Sequence, residues 1–221
     1  MKLQKISLLT CCLSASAWLP AQAATLLLNG SFESPVVPTD SVSYTVPTDW
    51  SGNSSVALIN GNYGSPVLPQ PEDGDQYLVI GNNGIAAEAW QSFTAATTDT
   101  YTLNWYDSSG YEGILGQASP YTVSIRDSVG GIVISQNFDA IALSQQTWVS
   151  KSLEFDLVGG DYTVVFSSLV SPGGYASLID NVTLVGAAVP EPAATALVLG
   201  LAAGGVALAR RQRQAKPRPQ P

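Results

Sequence analysis

The sequence predicts an all-β protein, a two-sheet β-sandwich of the jelly-roll type. Three stretches, 101–106, 121–126 and 161–166, alternate apolar and polar side chains, which is the period of a half-buried strand. Clusters of glycine, asparagine, aspartate, serine and proline separate the apolar runs, and no stretch before residue 189 has helical periodicity. About ten short strands with one buried face each require a second sheet to cover that face, so two packed sheets are expected.

The remaining strands are predicted from short apolar runs bounded by turn residues. In chain order they are 25–28, 56–59, 76–80, 88–93, 131–135, 148–155 and 177–185. Together the strands make one β-sandwich domain over residues 24–188, which is long enough to bury a sizeable core.

The N-terminus predicts export. Lys2 and Lys5 precede an apolar run, and Ala21-Gln22-Ala23 has the small-x-small form of a signal peptidase site, so residues 1–23 are expected to be a signal peptide cleaved after Ala23. Both cysteines, Cys11 and Cys12, lie inside that peptide. The mature domain is therefore expected to hold together by core packing, without disulfides.

The C-terminus predicts a membrane segment. Residues 193–209 carry no charge, and as an α-helix they would span about 26 Å, slightly less than the hydrocarbon layer of a bilayer. Arg210, Arg211 and Arg213 follow directly and are expected to stay on the cytoplasmic side. Residues 214–221, with three prolines, are expected to be a disordered tail.

Residues 189–213 combine a Val189-Pro190-Glu191-Pro192 strip, an apolar helix and an arginine cluster, in that order. This arrangement resembles the C-terminal sorting signal of PEP-CTERM proteins. The resemblance implies recognition by an exosortase, removal of the tail, and a Gram-negative bacterium that makes extracellular polysaccharide. The precursor would then be anchored in the inner membrane and the product located at the cell surface or in the extracellular matrix.

Charge and composition exclude several functions. The chain has nine basic and 17 acidic residues, but between residues 24 and 188 only Arg126 and Lys151 oppose sixteen acids, a balance near −14. Such a surface repels nucleic acid. The chain has no histidine and the mature domain no cysteine, so zinc sites and Ser-His-Asp or Cys-His catalysis are excluded. A carboxylate-based glycoside hydrolase remains a distant alternative without a supporting motif, and we expect no enzyme.

Five short motifs in the predicted domain occur in a recognisable order. They are LNGSFE at 28–33, PTDW at 47–50, DGDQYL at 73–78, WQSF at 90–93 and SLIDNVTL at 177–184. This set resembles the galactose-binding-like β-sandwich domains, which include several carbohydrate-binding modules. The resemblance implies a glycan ligand, here extracellular polysaccharide, and a structural calcium ion where the first and last strands meet.

The last strand gives a separate reason to consider a cation. Asp180 shares its parity with Leu178, Val182 and Leu184, so a buried apolar face would also bury its carboxylate. A buried carboxylate needs a partner, and Glu33 with Asp180 are the predicted calcium ligands. The alternative, weighted equally, is that Asp180 accepts backbone N–H groups or caps a turn.

The candidate glycan-binding residues are exposed aromatic and polar side chains. Trp50 and Trp105 are predicted to be core, whereas the opposite parity of Gln91 and Phe93 predicts that Trp90 faces outwards. The other candidates for one glycan platform are Asn104, Tyr106, Tyr111 and Glu112. Each of them alone is better explained as a packed aromatic or a solvated loop residue, because sites involve few positions and cores involve many.

Two classes of function therefore compete. The first is an exported matrix or surface protein that binds glycan through its sandwich, and the second is a structural matrix or adhesion protein without a sugar site. An exposed aromatic strip on one sheet favours the first, and an exposed hydrophobic edge strand favours the second.

Overall fold

A computed structural model describes residues 24–53, 55–61, 63, 68–81, 86–109, 118–141, 147–168 and 176–186. Within these ranges the protein is all-β and contains no helix, as the sequence predicts. The predicted signal peptide, sorting signal, membrane helix and tail lie outside the described residues. In the described part of the chain, no helix is long and apolar enough to cross a membrane.

The strands form two antiparallel sheets. The strand bounds are β1 Ser41–Ser43, β2 Ser51–Gly52, β3 Val56–Asn60, β4 Gln76–Ile80, β5 Glu88–Ala95, β6 Asp99–Ser109, β7 Ala118–Asp127, β8 Ile132–Ile141, β9 Val149–Leu157, β10 Gly160–Ser168 and β11 Ser177–Gly186. The six-stranded sheet has the order β1-β3-β4-β11-β6-β9, and the five-stranded sheet has the order β2-β5-β10-β7-β8.

Most of the predicted strands are confirmed, and the differences are at short or atypical segments. The predicted strand at 25–28 is wrong: Leu26 N–H donates to the Leu184 carbonyl, but the chain then turns at Asn29, whose φ is 48°. The strands β1 and β2 were missed, since three and two residues carry no readable alternation. β8 continues six residues beyond the predicted end at 135.

The main core lies between the two sheets. It is built from the inward-facing alternate residues of both sheets, and the largest fully buried side chain is Trp105 on β6. The Trp105 ring makes edge contacts with Phe138 at 4.9 Å and Phe166 at 5.7 Å, joining β8 and β10 of the other sheet. The predictions that Trp50 and Trp105 are core residues are confirmed, because they are 7% and 0% exposed.

A second apolar cluster covers the outer face of the six-stranded sheet. Tyr77 and Leu178, which point away from the main core, pack there with Leu68 from the segment before β4. The Trp148 ring meets the Tyr77 ring edge-on at 5.5 Å, and its indole N–H donates to the Gln70 carbonyl at 2.6 Å. Part of this face of the sandwich is therefore covered by the protein's own chain.

The LNGSFE segment closes the sandwich beside β11. The Val182 N–H donates to the Gly30 carbonyl at 2.9 Å, and a Cβ added to Gly30 would lie 1.9 Å from the Val182 carbonyl oxygen. Glycine is required there because any side chain would collide with the β11 backbone. Phe32, two residues later, is fully buried in the main core and contacts Trp50 with ring centroids 5.3 Å apart.

Candidate functional site

A cavity of about 300 Å³ opens on the outer face of the five-stranded sheet. It crosses three neighbouring strands, β5, β10 and β7, and reaches the turn between β7 and β8. Its lining consists of Glu88, Trp90, Ser92, Arg126, Asp127, Ser128, Gly130, Thr163 and Val165.

Strand alternation places these side chains on one face. Along β5, Gln91 and Phe93 are buried, so Glu88, Trp90 and Ser92 must point outwards. The antiparallel register then sets the neighbours of β5 on the central strand β10. Thr163 lies opposite Ser92 on one side and opposite Arg126 on the other, forming one polar row across the sheet.

Val165 and Trp90 form the apolar part of the cavity. They are direct partners in the pairing of β10 with β5, so their side chains lie side by side on the outer face. Val165 is only 2% exposed although it points away from the core, while Trp90 keeps part of its ring accessible. The apolar part of the cavity is therefore the partly exposed indole of Trp90 beside the buried aliphatic side chain of Val165.

An ion pair crosses the floor of the cavity. Arg126 on β7 donates from Nη2 to Glu88 Oε1 on β5 at 3.2 Å, although β10 lies between these strands. The pair therefore passes over β10, which accounts for the burial of Val165 beneath it. Both side chains are about one-third exposed, so donors of Arg126 and acceptors of Glu88 remain accessible from the cavity.

The turn between β7 and β8 is held by a side chain of the cavity wall. Asp127 Oδ1 accepts the Val129 N–H at 3.0 Å and the Gly131 N–H at 2.7 Å, and Gly130 has a φ of 85°. On β5 and β10, the hydroxyls of Ser92 and Thr163 lie 3.2 Å apart and hydrogen-bond each other. The polar groups of the cavity are thus placed by rigid strands and by a fixed turn.

This combination suits a polar ring-shaped ligand. An indole face supplies apolar area for C–H groups, while guanidinium, carboxylate and hydroxyl groups offer both donors and acceptors to ligand hydroxyls. Trp90 was predicted as a site residue, whereas Glu88 and Arg126 were missed. Two signals in the sequence pointed to them: Glu88 shares the parity of Trp90, and Arg126 is one of only two basic residues between 24 and 188.

The predicted single glycan platform is not formed by the described residues. Asn104 and Tyr106 do point outwards, but from β6 of the six-stranded sheet, on the opposite side of the sandwich from Trp90. The error has a simple cause, because alternation shows which residues leave the core but not which sheet carries them. Tyr111 and Glu112, like Val189–Pro192 and the three arginines, lie outside the described residues.

Asp180 and Glu33 both hold the same turn. Asp180 Oδ2 accepts the N–H groups of Glu72 at 2.8 Å and Asp73 at 3.1 Å, and Oδ1 accepts the Asn181 N–H at 2.7 Å. Glu33 Oε1 accepts the N–H groups of the next residues in the turn, Asp75 and Gln76, at 2.9 and 2.8 Å. The two carboxylates therefore attach the 72–76 turn to the start and the end of the domain.

The predicted side-chain parity of β11 is wrong at Asp180. The pairing of β11 with β6 shifts between Asp180 and Thr183, and Asn181 has a φ of 49°. This β-bulge places Val182 and Leu184 in the main core, whereas Leu178 packs in the cluster on the outer face. Asp180 shares the face of Leu178, so its burial results from the covering segment that contains Leu68.

Burial of Asp180 is complete and has an electrostatic cost. The side chain is 0% exposed, and burial raises the pKa of its carboxyl to about 8, although the three backbone N–H groups oppose the shift. Accepting N–H groups is the alternative that the sequence left open, and the structure shows that Asp180 does so.

The side chains near Asp180 and Glu33 limit which ligands a calcium site there would contain. In the described part of the chain, no three acidic, histidine or cysteine side chains cluster in a way that could hold a metal ion. Calcium would therefore need backbone carbonyl oxygens besides the two carboxylates, which its flexible coordination allows. The calcium ion stays a prediction.

A second buried carboxylate lies in the core of the sandwich. Asp107 Oδ2 accepts the Tyr121 hydroxyl at 2.6 Å and lies 3.5 Å from Lys151 Nζ, while the Tyr121 hydroxyl accepts the Trp105 indole N–H at 2.8 Å. Asp107 Oδ1 is buried without a hydrogen-bond partner. Burial raises the pKa of Asp107, against the Tyr121 hydrogen bond and Lys151.

Comparison with known proteins establishes the fold. No family model matches the chain. No curated protein matches it either. The family 61 carbohydrate-binding module TmCBM61, solved in complex with β-1,4-galactotriose, matches with a TM-score of 0.51 and 14% identity over 74% of this chain and 99% of that chain. An arabinose-bound GH51 α-L-arabinofuranosidase matches with a TM-score of 0.51 and 15% identity, over 74% of this chain and 26% of that chain.

A third similar structure is the CBM22-1 xylan-binding domain of Paenibacillus barcinonensis Xyn10C, with a TM-score of 0.45 and 14% identity over 77% of this chain and 100% of that chain. The match to TmCBM61 spans nearly the whole of that module, so the described domain has its β-sandwich fold.

Proposed function

We propose that this protein is an exported glycan-binding surface or matrix protein, and that it binds sugar on the outer face of the five-stranded sheet. The observation that carries the proposal is the partly exposed Trp90 ring beside the Arg126–Glu88 ion pair, in a cavity of about 300 Å³. Exposed aromatic rings next to paired polar groups suit the flat, hydroxyl-rich face of a sugar. The carbohydrate-binding-module fold supports the same class of ligand.

The charge of the domain favours a neutral glycan. Sixteen acidic residues between 24 and 188 oppose Arg126 and Lys151, and the cavity itself includes Glu88 and Asp127 beside its one arginine. A polyanionic polysaccharide would meet repulsion both on approach and in the cavity. Hydroxyl groups, by contrast, can donate to Glu88 and accept from Arg126 without a change in charge.

A binding assay with matched variants tests the sugar site. Full-length protein in mild detergent is applied to an array of neutral and acidic polysaccharides that includes β-1,4-galactotriose. We expect binding to neutral glycans, weakened at least about tenfold by Trp90→Ala, because the stacking surface is lost. Tyr106→Ala is the control, since Tyr106 points outwards from the other sheet. Equal losses for both variants, or no binding by the wild type, would overturn this site.

The location of the protein is proposed from both ends of the sequence. The 1–23 signal peptide would direct export, and the 189–213 sorting signal would be recognised by an exosortase while the 193–209 helix holds the precursor in the inner membrane. Replacing Pro190, Glu191 and Pro192 together by alanine should leave export intact and block removal of the tail. The expected result is a membrane-bound species heavier by roughly thirty residues; identical size and location for wild type and variant would contradict sorting.

Access of protease to intact cells tests export independently of sorting. If the domain is outside the cytoplasm, protease added with the inner membrane sealed should digest residues 24–188, and mature protein should begin at Ala24. Protection of the domain in sealed cells would contradict the location, while the glycan assay on purified protein would still stand.

A further inference from the structure

The two sheets have four edges, and three of them are poorly suited to pairing with another chain. β1 and β2 are three and two residues long. β9 is longer, but Lys151, Glu154 and Asp156 place a charge at almost every second or third position along it. Short edge strands and charged side chains are the devices by which β-proteins prevent edge-to-edge association.

The fourth edge, β8, is long, and its charged residue, Asp139, lies near its C-terminal end. β8 spans ten residues, and its first seven, IVISQNF, include no charge and no proline. Ile132 is 65% exposed and Val133 is 45% exposed. Of the described strands, only β7 pairs with β8, so one side of the β8 backbone lies along the open edge of the five-stranded sheet.

The main core is also incompletely closed at β8. Ile134 and Phe138 pack against the core but remain only partly buried, whereas Val123 and Tyr121, which lie close to them on β7, are fully buried. A further strand beside β8 would complete the burial of both side chains. Among the described residues, β8 therefore combines backbone groups without a second strand partner and unburied apolar area in the same place.

We propose that β8 pairs with β8 of a second copy of this chain, so that two five-stranded sheets join into one continuous ten-stranded sheet. A strand meets its own copy in the antiparallel direction about a two-fold axis, which closes the assembly at a dimer. The uncharged stretch from Ile132 to Phe138 then faces itself without like-charge repulsion. This matters in a domain whose balance near −14 opposes self-association at other surfaces.

Antiparallel pairing of the two β8 strands has a consequence for the proposed sugar site. This consequence rests on the proposed function. The two-fold axis is perpendicular to the joined sheet, so the same face of each five-stranded sheet points to the same side. Both cavities with Trp90 would open on that side, and one polysaccharide could engage two sites. The dimer itself doesn't depend on glycan binding, and its test uses no sugar.

Sedimentation velocity and hydrogen exchange test the dimer on full-length protein in excess mild detergent. We expect a concentration-dependent dimer, with β8 amides that exchange more slowly at about 100 µM than at about 1 µM protein. Ile132→Lys and Ser135→Lys should each weaken the dimer about a hundredfold, because two-fold symmetry places every added charge at the interface twice. Ser135 is exposed, so its variant tests the edge without removing apolar contacts.

Val158→Lys is the matched control. Val158 is an exposed aliphatic residue like Ile132, at 62% against 65%, but it lies between β9 and β10. A dimer that survives Val158→Lys and is lost in both β8 variants supports the proposal, when all variants melt at the wild-type temperature at about 1 µM, where dimerisation adds little stability. A wild-type monomer at about 100 µM overturns it, and so does a dimer that all three variants retain, which would place self-association elsewhere in the chain.

Discussion

The two outer faces of the sandwich differ in what covers them. On the six-stranded sheet, the segment before β4 packs Leu68 against Tyr77 and Leu178, and Asp180 and Glu33 hold the turn that follows. On the five-stranded sheet, Trp90 and the Arg126–Glu88 pair border an open cavity. Both faces carry aromatic residues, and on the five-stranded sheet Trp90 is partly exposed beside the cavity.

Under the proposed function, this difference predicts that one outer face contributes stability and that the other binds the ligand. A face covered by its own chain contributes apolar burial to folding, and substitutions there should unfold the protein. A face that leaves an indole in contact with water gains little for folding from that residue and keeps it available to a ligand. Substitutions on the two faces should therefore separate stability from binding.

The largest effect is expected at Tyr77. Tyr77 is fully buried in the cluster on the covered face and contacts Trp148, so Tyr77→Ala should lower the free energy of unfolding by about 3–5 kcal/mol. Tyr77→Phe is the matched control, because the Tyr77 hydroxyl is buried without a partner among the described residues and its removal should cost little. Chemical denaturation measures both. A mild effect of Tyr77→Ala would mean that the covering segment contributes little.

Calcium should have the next largest effect, if it binds where the covering segment is held. A cation bound only by the folded protein stabilises it by about 2.7 kcal/mol at a hundred times its dissociation constant, or roughly 5–10 °C in melting temperature for this size. Asp180→Asn should abolish most of this response, whereas Glu154→Gln, an exposed acid on β9, should retain it. Equal melting temperatures for the wild type in calcium and in chelator would leave Asp180 as an acceptor of N–H groups alone.

The fold was more predictable from the sequence than the site, for a physical reason. Alternation along β5 and β6 is a local property, so the outward direction of Trp90 and Tyr106 could be read directly. Which sheet each strand joins depends on long-range pairing, and no local pattern carries that information. The Arg126–Glu88 pair was missed for the same reason. The two residues are 38 positions apart in the sequence, and a third strand lies between their strands.

Asp180 shows a second limit of sequence patterns. Its parity with Val182 and Leu184 assumed an unbroken strand, and the bulge at Asn181 reverses the faces on either side of it. Asparagine tolerates the positive φ found there, but an asparagine alone does not predict a bulge. The burial of Asp180 was predicted correctly, although the apolar side chains around it are on the outer face.

The pH dependence of stability should also belong to the six-stranded sheet, because both buried carboxylates, Asp107 and Asp180, lie on its strands. Burial raises the pKa of Asp107, so between the unfolded and folded pKa values the folded state holds a proton that the unfolded state has released. The free energy of unfolding should therefore fall as pH rises from about 4, by about 1.4 kcal/mol for each unit of pKa difference.

Substitution identifies the share of each carboxylate in this pH dependence. Asp107→Asn should flatten the decline in stability between pH 4.5 and 7.5, measured by denaturation in the presence of chelator. Asp180→Asn should do the same, because burial raises its pKa to about 8. The exposed-acid variant Glu154→Gln should leave the profile unchanged. A profile that neither Asp107→Asn nor Asp180→Asn alters would assign the pH dependence to other groups.

The smallest effect on stability is expected at Trp90. Its ring is partly exposed and its paired neighbour Val165 is also covered by the Arg126–Glu88 pair, so Trp90→Ala should lower the free energy of unfolding by only about 0.5–1 kcal/mol. The same substitution should cause the largest loss of glycan binding, whereas Tyr77→Ala should cause the largest loss of stability. Denaturation and glycan binding on the same preparations measure both quantities. A cost for Trp90→Ala as large as that of Tyr77→Ala would make the indole a packing residue, and the two outer faces would then differ only in how their own chain covers them.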